Sequence, residues 1–414
     1  MAEGGRDNFF RDSVFLLVGN LAVTLLNFFF QVYMGRALGP VAYGMLGVVF
    51  AVFYLEGAVL STITYSLAKF FSNFYARGDR SAIRTLFQRA LRRFNIFGFL
   101  VFLFFLLGAQ ILAGFLKFPS SWPVVWLGIF LWSAFFTPVL TAFLSGLQQF
   151  LPLAVVQFFS TFVKLVVGIV AVFLGFGLNG VIVALVASSL LPFLPGLIWI
   201  GPYLKEARIK LDTRPIYRYS VPTFVATVCL AFYNNFDLIL VKHFFNSIEA
   251  GFYVACGTLA KTICFGVASL LTVLFPKVVN RSELEQNSLG LLIKALKYFL
   301  FGSAVALLLF YSLPELLTRI VFGQQYQLKR LLFPMGVAMF FYSLANILTV
   351  YLLALSEEKK TFFLSLFVIL EVIFIWLRHN SLLEVVQVVT WLMIFLSLIL
   401  AGIVWQVEKN KNAA

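Results

Sequence analysis

Gly35-Arg-Ala-Leu-Gly-Pro-Val-Ala-Tyr-Gly44 separates two long apolar runs, Ser13 to Met34 and Met45 to Phe70. Each run meets the length of about 20 apolar residues that a helix needs to cross a bilayer. The stretch between them, with two glycines, a Gly-Pro pair and Arg36, reads as a short turn outside the hydrocarbon. A helix, a tight polar turn and a second helix predict a polytopic membrane protein.

Composition supports the same class. Of 414 residues 62% are hydrophobic and 12% charged, against a charged fraction of roughly 25% in soluble domains. The 51 phenylalanines exceed what a water-facing domain could bury, whereas lipid solvates them readily. The excess of 31 Lys and Arg over 17 Asp and Glu follows from the loading of cytoplasmic loops with cations and does not indicate nucleic acid. Cys229, Cys256 and Cys264 lie in apolar segments without a CxxC spacing, so they read as free buried thiols. His243 and His379 stand at span ends with no metal-ligand spacing. The first apolar run has no small-residue cleavage site, so it reads as a retained span rather than a signal peptide.

The apolar runs predict 12 spans, approximately 13–34, 45–70, 95–116, 124–146, 151–174, 180–203, 220–241, 250–276, 291–313, 331–355, 361–377 and 385–406. Pro138, Pro192 and Pro195 fall inside spans and should kink them. The loop from Leu204 to Tyr219 divides the chain into an N-terminal six-helix bundle (1–203), a basic linker (204–219) and a C-terminal six-helix bundle (220–414). Six is even, so both halves start on the same side and any internal repeat is parallel. An offset of 207 positions pairs Asn27 with Asn234, Gly44 with Gly251 and Leu67 with Leu274. The loops Phe71 to Phe94 and Leu204 to Tyr219 are basic and partly amphipathic. They read as helices on an anionic leaflet or as docking points for an anionic head group.

Polar residues recur at helical spacing along four spans: Asn20, Thr24, Asn27 and Gln31; Gln157, Thr161, Lys164 and Gly168; Thr223, Thr227, Asn234 and Asp237; Tyr342, Asn346 and Thr349. Such lines face protein or a water-filled cavity, because lipid offers no hydrogen bonds. Four together favour a shared polar cavity over helix-to-helix glue. Five charges lie within spans: Glu56, Lys164, Asp237, Lys261 and Glu371. Each costs about 2.5–3.5 kcal/mol or more near the bilayer centre, so each marks either function or a structural pair such as Glu56 with Lys164. Lys164 stands about ten residues, or roughly 15 Å, from the nearer end of its span, beyond the reach of a snorkelling lysine. The chain contains no DxD, no nucleophile elbow and no Walker A pattern, so it is not expected to be an enzyme.

The Gly35–Gly44 turn resembles the "R-x-L-G-P-x-x-Y-G" hallmark of the polysaccharide biosynthesis protein family. This is the O-antigen-type, lipid-linked oligosaccharide flippase branch of the multidrug/oligosaccharidyl-lipid/polysaccharide exporter superfamily. Asn234-Asn235-Phe236-Asp237-Leu238, followed by Glu249-Ala250-Gly251-Phe252-Tyr253, looks like that family's seventh-span aspartate and "GxY" turn. The resemblance implies two parallel six-helix bundles forming a V around a central cavity. It also implies alternating-access transport of a polyprenyl-diphosphate-linked oligosaccharide to the outer leaflet of the cytoplasmic (inner) membrane, for cell-surface polysaccharide biosynthesis. Under that reading Lys164 and Lys261 are the cations for the diphosphate, and Asn27, Gln31, Gln157 and Asn234 line the substrate path. Glu56, Asp237 and Glu371 are candidates for ion coupling. No cofactor is expected beyond coupled H⁺ or Na⁺. The expected partners are the lipid-linked glycan, membrane lipids and glycan polymerase machinery. The alternatives are a cation-coupled multidrug exporter of the same superfamily, which wants an acidic cavity, and a membrane glycosyltransferase or polymerase, which wants paired carboxylates on a large outer loop.

With the N-terminus inside, 21 Lys and Arg residues fall on the cytoplasmic side and 7 outside, which places both termini in the cytoplasm. A single cysteine at Ala42 should therefore react with an impermeant thiol reagent on intact cells, and one at Arg80 only after permeabilisation. Labelling of position 80 from outside would reverse the topology.

Overall fold

The computed structural model describes the chain apart from residues 1–3, 208, 210–227, 284–287, 356, 358, 359, 361, 362 and 414. Among the described residues every regular element is helical. Nine helices of the described residues are long and apolar enough to cross a membrane, and Leu364–Leu377 is a shorter apolar helix. The predicted spans and the helices coincide closely: 150–173 for the fifth, 289–312 for the ninth, 332–354 for the tenth and 364–377 for the eleventh. Most of the 204–219 linker and the start of the seventh span, with Thr223 and Thr227, lie outside the described residues.

The opening turn is tighter than its sequence suggests. Helix Gly4–Ala76 runs through it with a single break at Gly39, whose φ of 71° and ψ of 173° are non-helical. Glycine takes a positive φ without a Cβ clash, and Pro40, which lacks an N–H, restarts the next helix as proline does at a first turn. The loop predicted over Phe71 to Phe94 also shrinks. Helix continues to Ala76 and resumes at Arg80, where the Asp79 side chain caps Ala82 N at 2.9 Å. The basic amphipathic stretch is thus the first turns of the third span, with Ile83, Leu86, Phe87 and Ala90 buried.

Two prolines break spans as expected. Pro138 precedes no possible hydrogen bond to the carbonyl four residues back, and the fourth span divides into Trp122–Ala134 and Phe136–Gly146. Pro192 divides the sixth into Gly177–Leu190 and Phe193–Leu204. The carbonyl that Pro192 cannot reach is Ser188 O, and the Ser160 hydroxyl donates to it at 2.6 Å. A neighbouring helix thereby satisfies the freed group.

The chain forms two compact units, Met1–Leu38 with Glu56–Val221, and Gly39–Leu55 with Pro222–Ala414. In the first, Phe71, Phe87, Phe143 and Leu140 form a fully apolar centre, with edge-on aromatic pairs at 5.6 and 5.2 Å. In the second, Leu332–Ala354 is the central helix, packed by Leu382–Ala413, Thr262–Glu283 and Leu289–Ser312. Tyr351 joins the far end of Leu382–Ala413 to this core, donating to Glu408 Oε1 at 2.6 Å.

The predicted division at 203 needs one correction, since residues 39–55 belong with the second unit. The break at Gly39 frees this segment from the helix before it, and close backbone packing holds it. A Cβ on Gly44 would lie 2.8 Å from Gly251 N and 3.1 Å from Ser247 O; one on Gly251 would lie 2.0 Å from Pro40 O. Gly47 likewise faces Val254. Gly44 with Gly251, and Gly47 with residue 254, are pairs at the 207-residue offset, and the contacts between 40 and 251 and between 44 and 247 are reciprocal, as at a two-fold crossing. Tyr43, fully buried, completes the anchor through its hydroxyl, 3.1 Å from Thr258 Oγ1.

Gly251→Ala should therefore force backbone apart and cost about 1–3 kcal/mol, read as a lower melting temperature of the purified protein in detergent. Gly257→Ala, in the same helix but with nothing within 4 Å of its Cβ, should leave the melting temperature unchanged or raise it. Equal melting of both variants would remove the glycine crossing as a determinant of packing.

Candidate functional site

Lys164 lies on Phe150–Phe173, which runs along the first span. Gly19 faces Ala154, and Gly168 faces Met34 and Phe30, so closely that a Cβ at 168 would meet Met34 Cε at 2.8 Å. This register brings Lys164 onto Asn27: its ammonium donates to Asn27 Oδ1 and stands 5.1 Å from the centroid of the Phe30 ring. Among the described residues no carboxylate pairs with it, so the structural alternative, a Glu56–Lys164 ion pair, is not made. Both Glu56 carboxylate oxygens are buried without a hydrogen-bond partner. Gln31 and Gln157 are both half-buried in the same unit; the Gln157 carbonyl accepts from Thr161 Oγ1 at 3.1 Å.

The second unit concentrates the remaining buried charges. Residues 228–233 are helical, the chain turns at Asn234 and Asn235, and helix resumes over Phe236–Phe244. The interruption leaves the Asn234 carbonyl outside a regular ladder. Lys261 occupies the matching break between Ser247–Ala260 and Thr262–Glu283. It donates to Asn234 O at 2.7 Å and to Asn235 Oδ1 at 3.2 Å. Asp237, 6% exposed, accepts from the Tyr253 hydroxyl at 2.5 Å. The two halves of the second sequence motif, the aspartate and the "GxY" tyrosine, therefore meet as one hydrogen bond. Lys261 acts electrostatically on Asp237, and Asp237 on Glu371. Glu371 is 1% exposed, and its Oε1 has no partner. The cluster thus holds two carboxylates, one ammonium and the interrupted backbone, a combination suited to exchanging a cation or a proton.

Of the residues predicted for substrate, Lys164 meets Asn27 and Lys261 meets Asn234. Of those predicted for ion coupling, Asp237 and Glu371 come together, and Glu56 stands in the other unit. Tyr253, Asn235 and Phe30 were not anticipated as partners. Tyr253 was visible in the motif, but its role depends on a helix packing 16 residues away from Asp237. On the tenth-span line, the Tyr342 hydroxyl reaches Leu230 O at 3.4 Å, and Thr349 Oγ1 is buried with no partner.

Comparison with known proteins places this architecture. The sequence profile described as "Polysaccharide biosynthesis protein" matches residues 33–329. The chain belongs to the polysaccharide biosynthesis protein family. No curated protein sequence matches it. Among solved structures it resembles an inward-facing multidrug resistance MATE family transporter of the MOP superfamily (TM-score 0.73, 14% identity, 95% of this chain and 96% of that one). It also resembles a eukaryotic MATE transporter (0.69, 12%, 97% and 98%) and the lipid II flippase MurJ in an inward closed conformation (0.66, 15%, 94% and 87%). The fold is thus that of MOP-superfamily transporters, and the described residues hold nine helices long and apolar enough to cross a membrane.

Within the cluster, Lys261→Met should leave Asp237 and Glu371 without their cation and cost about 3–5 kcal/mol, measured as a fall in thermal stability. Asp237→Asn in the same background should recover part of that loss. Two additive effects would mean that the groups are independent.

Proposed function

We propose that the protein flips a polyprenyl-diphosphate-linked oligosaccharide across the cytoplasmic membrane by alternating access, with both termini in the cytoplasm. The carrying observation is Lys164: a deeply placed cation, held by the neutral Asn27 oxygen and the Phe30 ring and not by a carboxylate. A cation balanced by a protein carboxylate has little left to offer an anion. One held by an amide keeps its charge for a diphosphate, while Asn27, Gln31 and Gln157 supply hydrogen bonds to sugar hydroxyls. The polyprenyl tail can remain in lipid, so no apolar pocket is required for it. The work is translocation, with no bond made or broken. A glycan polymerase is the natural recipient of the cargo.

The Asp237–Glu371 cluster favours coupling to H⁺ or Na⁺ as the driving force. Asp237 has the backbone and amide oxygens of Asn234 and Asn235 nearby as further ligands for a hydrated cation. Glu56, buried without a partner, is the second candidate. The same cluster also fits a cation-coupled multidrug exporter, whose cargo would be cationic and repelled by Lys164.

One reconstitution separates these readings. In vesicles with an imposed ion gradient, wild-type protein should translocate a lipid-linked oligosaccharide and Lys164→Ala should not, although it reaches the membrane at normal levels. Glu56→Gln or Asp237→Asn should abolish the stimulation by the gradient. Full transport by Lys164→Ala would overturn the assignment of that lysine. Full gradient-driven transport by both carboxylate variants would place coupling elsewhere.

A further inference from the structure

The second unit contains a pocket of about 960 Å³ that none of the buried charges above enters. It lies at the end of the unit that carries the Gly39 break. Its walls come from the first turns of Ser247–Ala260, the Pro314–Val321 helix, the segment 323–331 and the start of Leu382–Ala413. Tyr326, only 4% exposed, backs the lining. Its ring packs 5.9 Å from Phe252 and 6.3 Å from Tyr43, so this part of the lining rests on the same turn that holds residues 39–55 in place.

The polar lining is unevenly satisfied. Lys329 and Glu315 pair with each other at 2.8 Å. Glu249 is engaged in capping its own helix, accepting from Asn246 N at 3.3 Å. With the Gln324 amide oriented to accept, its oxygen takes N–H bonds from Arg319 Nη2 at 2.8 Å and Nε at 3.3 Å. Arg319 is thus aimed by a neutral group, and Arg330 has no carboxylate partner among the described residues. Lys329 balances Glu315, so Arg319 and Arg330 outweigh the one remaining carboxylate of the lining, Glu249, and the pocket carries a net positive charge. Amides and hydroxyls, from Gln327, Asn380 and Ser381, complete the wall.

We infer that this pocket binds a short acidic oligosaccharide, one whose sugars carry carboxylates. Guanidinium groups bind carboxylates through paired N–H bonds, and the Gln327 amide and the Ser381 hydroxyl proton match sugar hydroxyls. The volume is at the upper end of the roughly 300–1,000 Å³ typical of small-molecule sites, too large for an inorganic anion alone. The inference takes its source of ligand from the proposed glycan cargo, which would meet this pocket on the outer side of the membrane.

The test needs neither a lipid carrier nor transport. Titration calorimetry of the full-length protein in detergent should show binding of tetragalacturonate. Maltotetraose, which is neutral, and inorganic phosphate should bind at least about tenfold more weakly. Arg330→Ala and Arg319→Ala should each lower tetragalacturonate affinity about tenfold, and Gly257→Ala, outside the pocket lining, should not change it. Arg319 and Arg330 are exposed, so neither variant should unfold the protein, and an unchanged melting temperature would verify this. Equal affinity for maltotetraose, no binding, or wild-type affinity in both arginine variants would overturn the inference. Absent binding with intact vesicle transport would remove the pocket and leave the flippase reading standing. Selective binding without transport would do the reverse.

Discussion

A polar group buried in a membrane-spanning unit must find its partner inside the protein, because hydrocarbon supplies none. Most of this molecule obeys that constraint locally. The Ser188 carbonyl, released by Pro192, is taken by Ser160 from the adjacent helix. The Asn234 carbonyl, released by the break at 234–235, is taken by Lys261. Tyr233 closes its hydroxyl on the Leu364 carbonyl at 2.7 Å. Helix interruptions and the side chains that repair them occur in pairs, and each pair fixes one helix against its neighbour.

The exceptions are correspondingly informative. Glu56 leaves both oxygens unpartnered, and Glu371 and Asn234 each leave a side-chain oxygen so. Leaving such atoms buried costs about 1–3 kcal/mol or more apiece. Asp237, by contrast, accepts from Tyr253. The Asn234 oxygen lies at the helix interruption, whereas Glu56 stands within a continuous stretch of helix in the other unit. Lys164 represents the opposite sign, a cation whose surroundings neutralise none of its charge.

Packing at Gly44 and Gly251 imposes a second constraint. Backbone meets backbone there, with Pro40 O occupying the place a side chain would take on residue 251. Only glycine permits such an approach. The contact explains why a segment early in the chain folds with the C-terminal unit, and its reciprocity at the 207-residue offset supports an origin of the two halves as one repeated element. Tyr43 and Tyr326 extend the same contact toward the acidic-sugar pocket, so the two features share a foundation.

The sequence alone determined the membrane class, the positions of the helices, the prolines that would break them and the set of buried charges. Those properties depend on apolar run length and on the cost of a charge in hydrocarbon, both readable along one strand of residues. It could not distinguish a ten-residue turn from a single residue of positive φ, since Gly-Pro is compatible with either. Nor could it choose partners. Glu56 with Lys164 was as plausible as Asn27 with Lys164 until the register at Gly19–Ala154 and Gly168–Met34 put residue 27 in reach. Hydrogen bonds are directional and short, so which helix lies alongside, and in what register, decides them. That information resides in the packing of residues far apart in the chain, and only the tertiary structure supplies it.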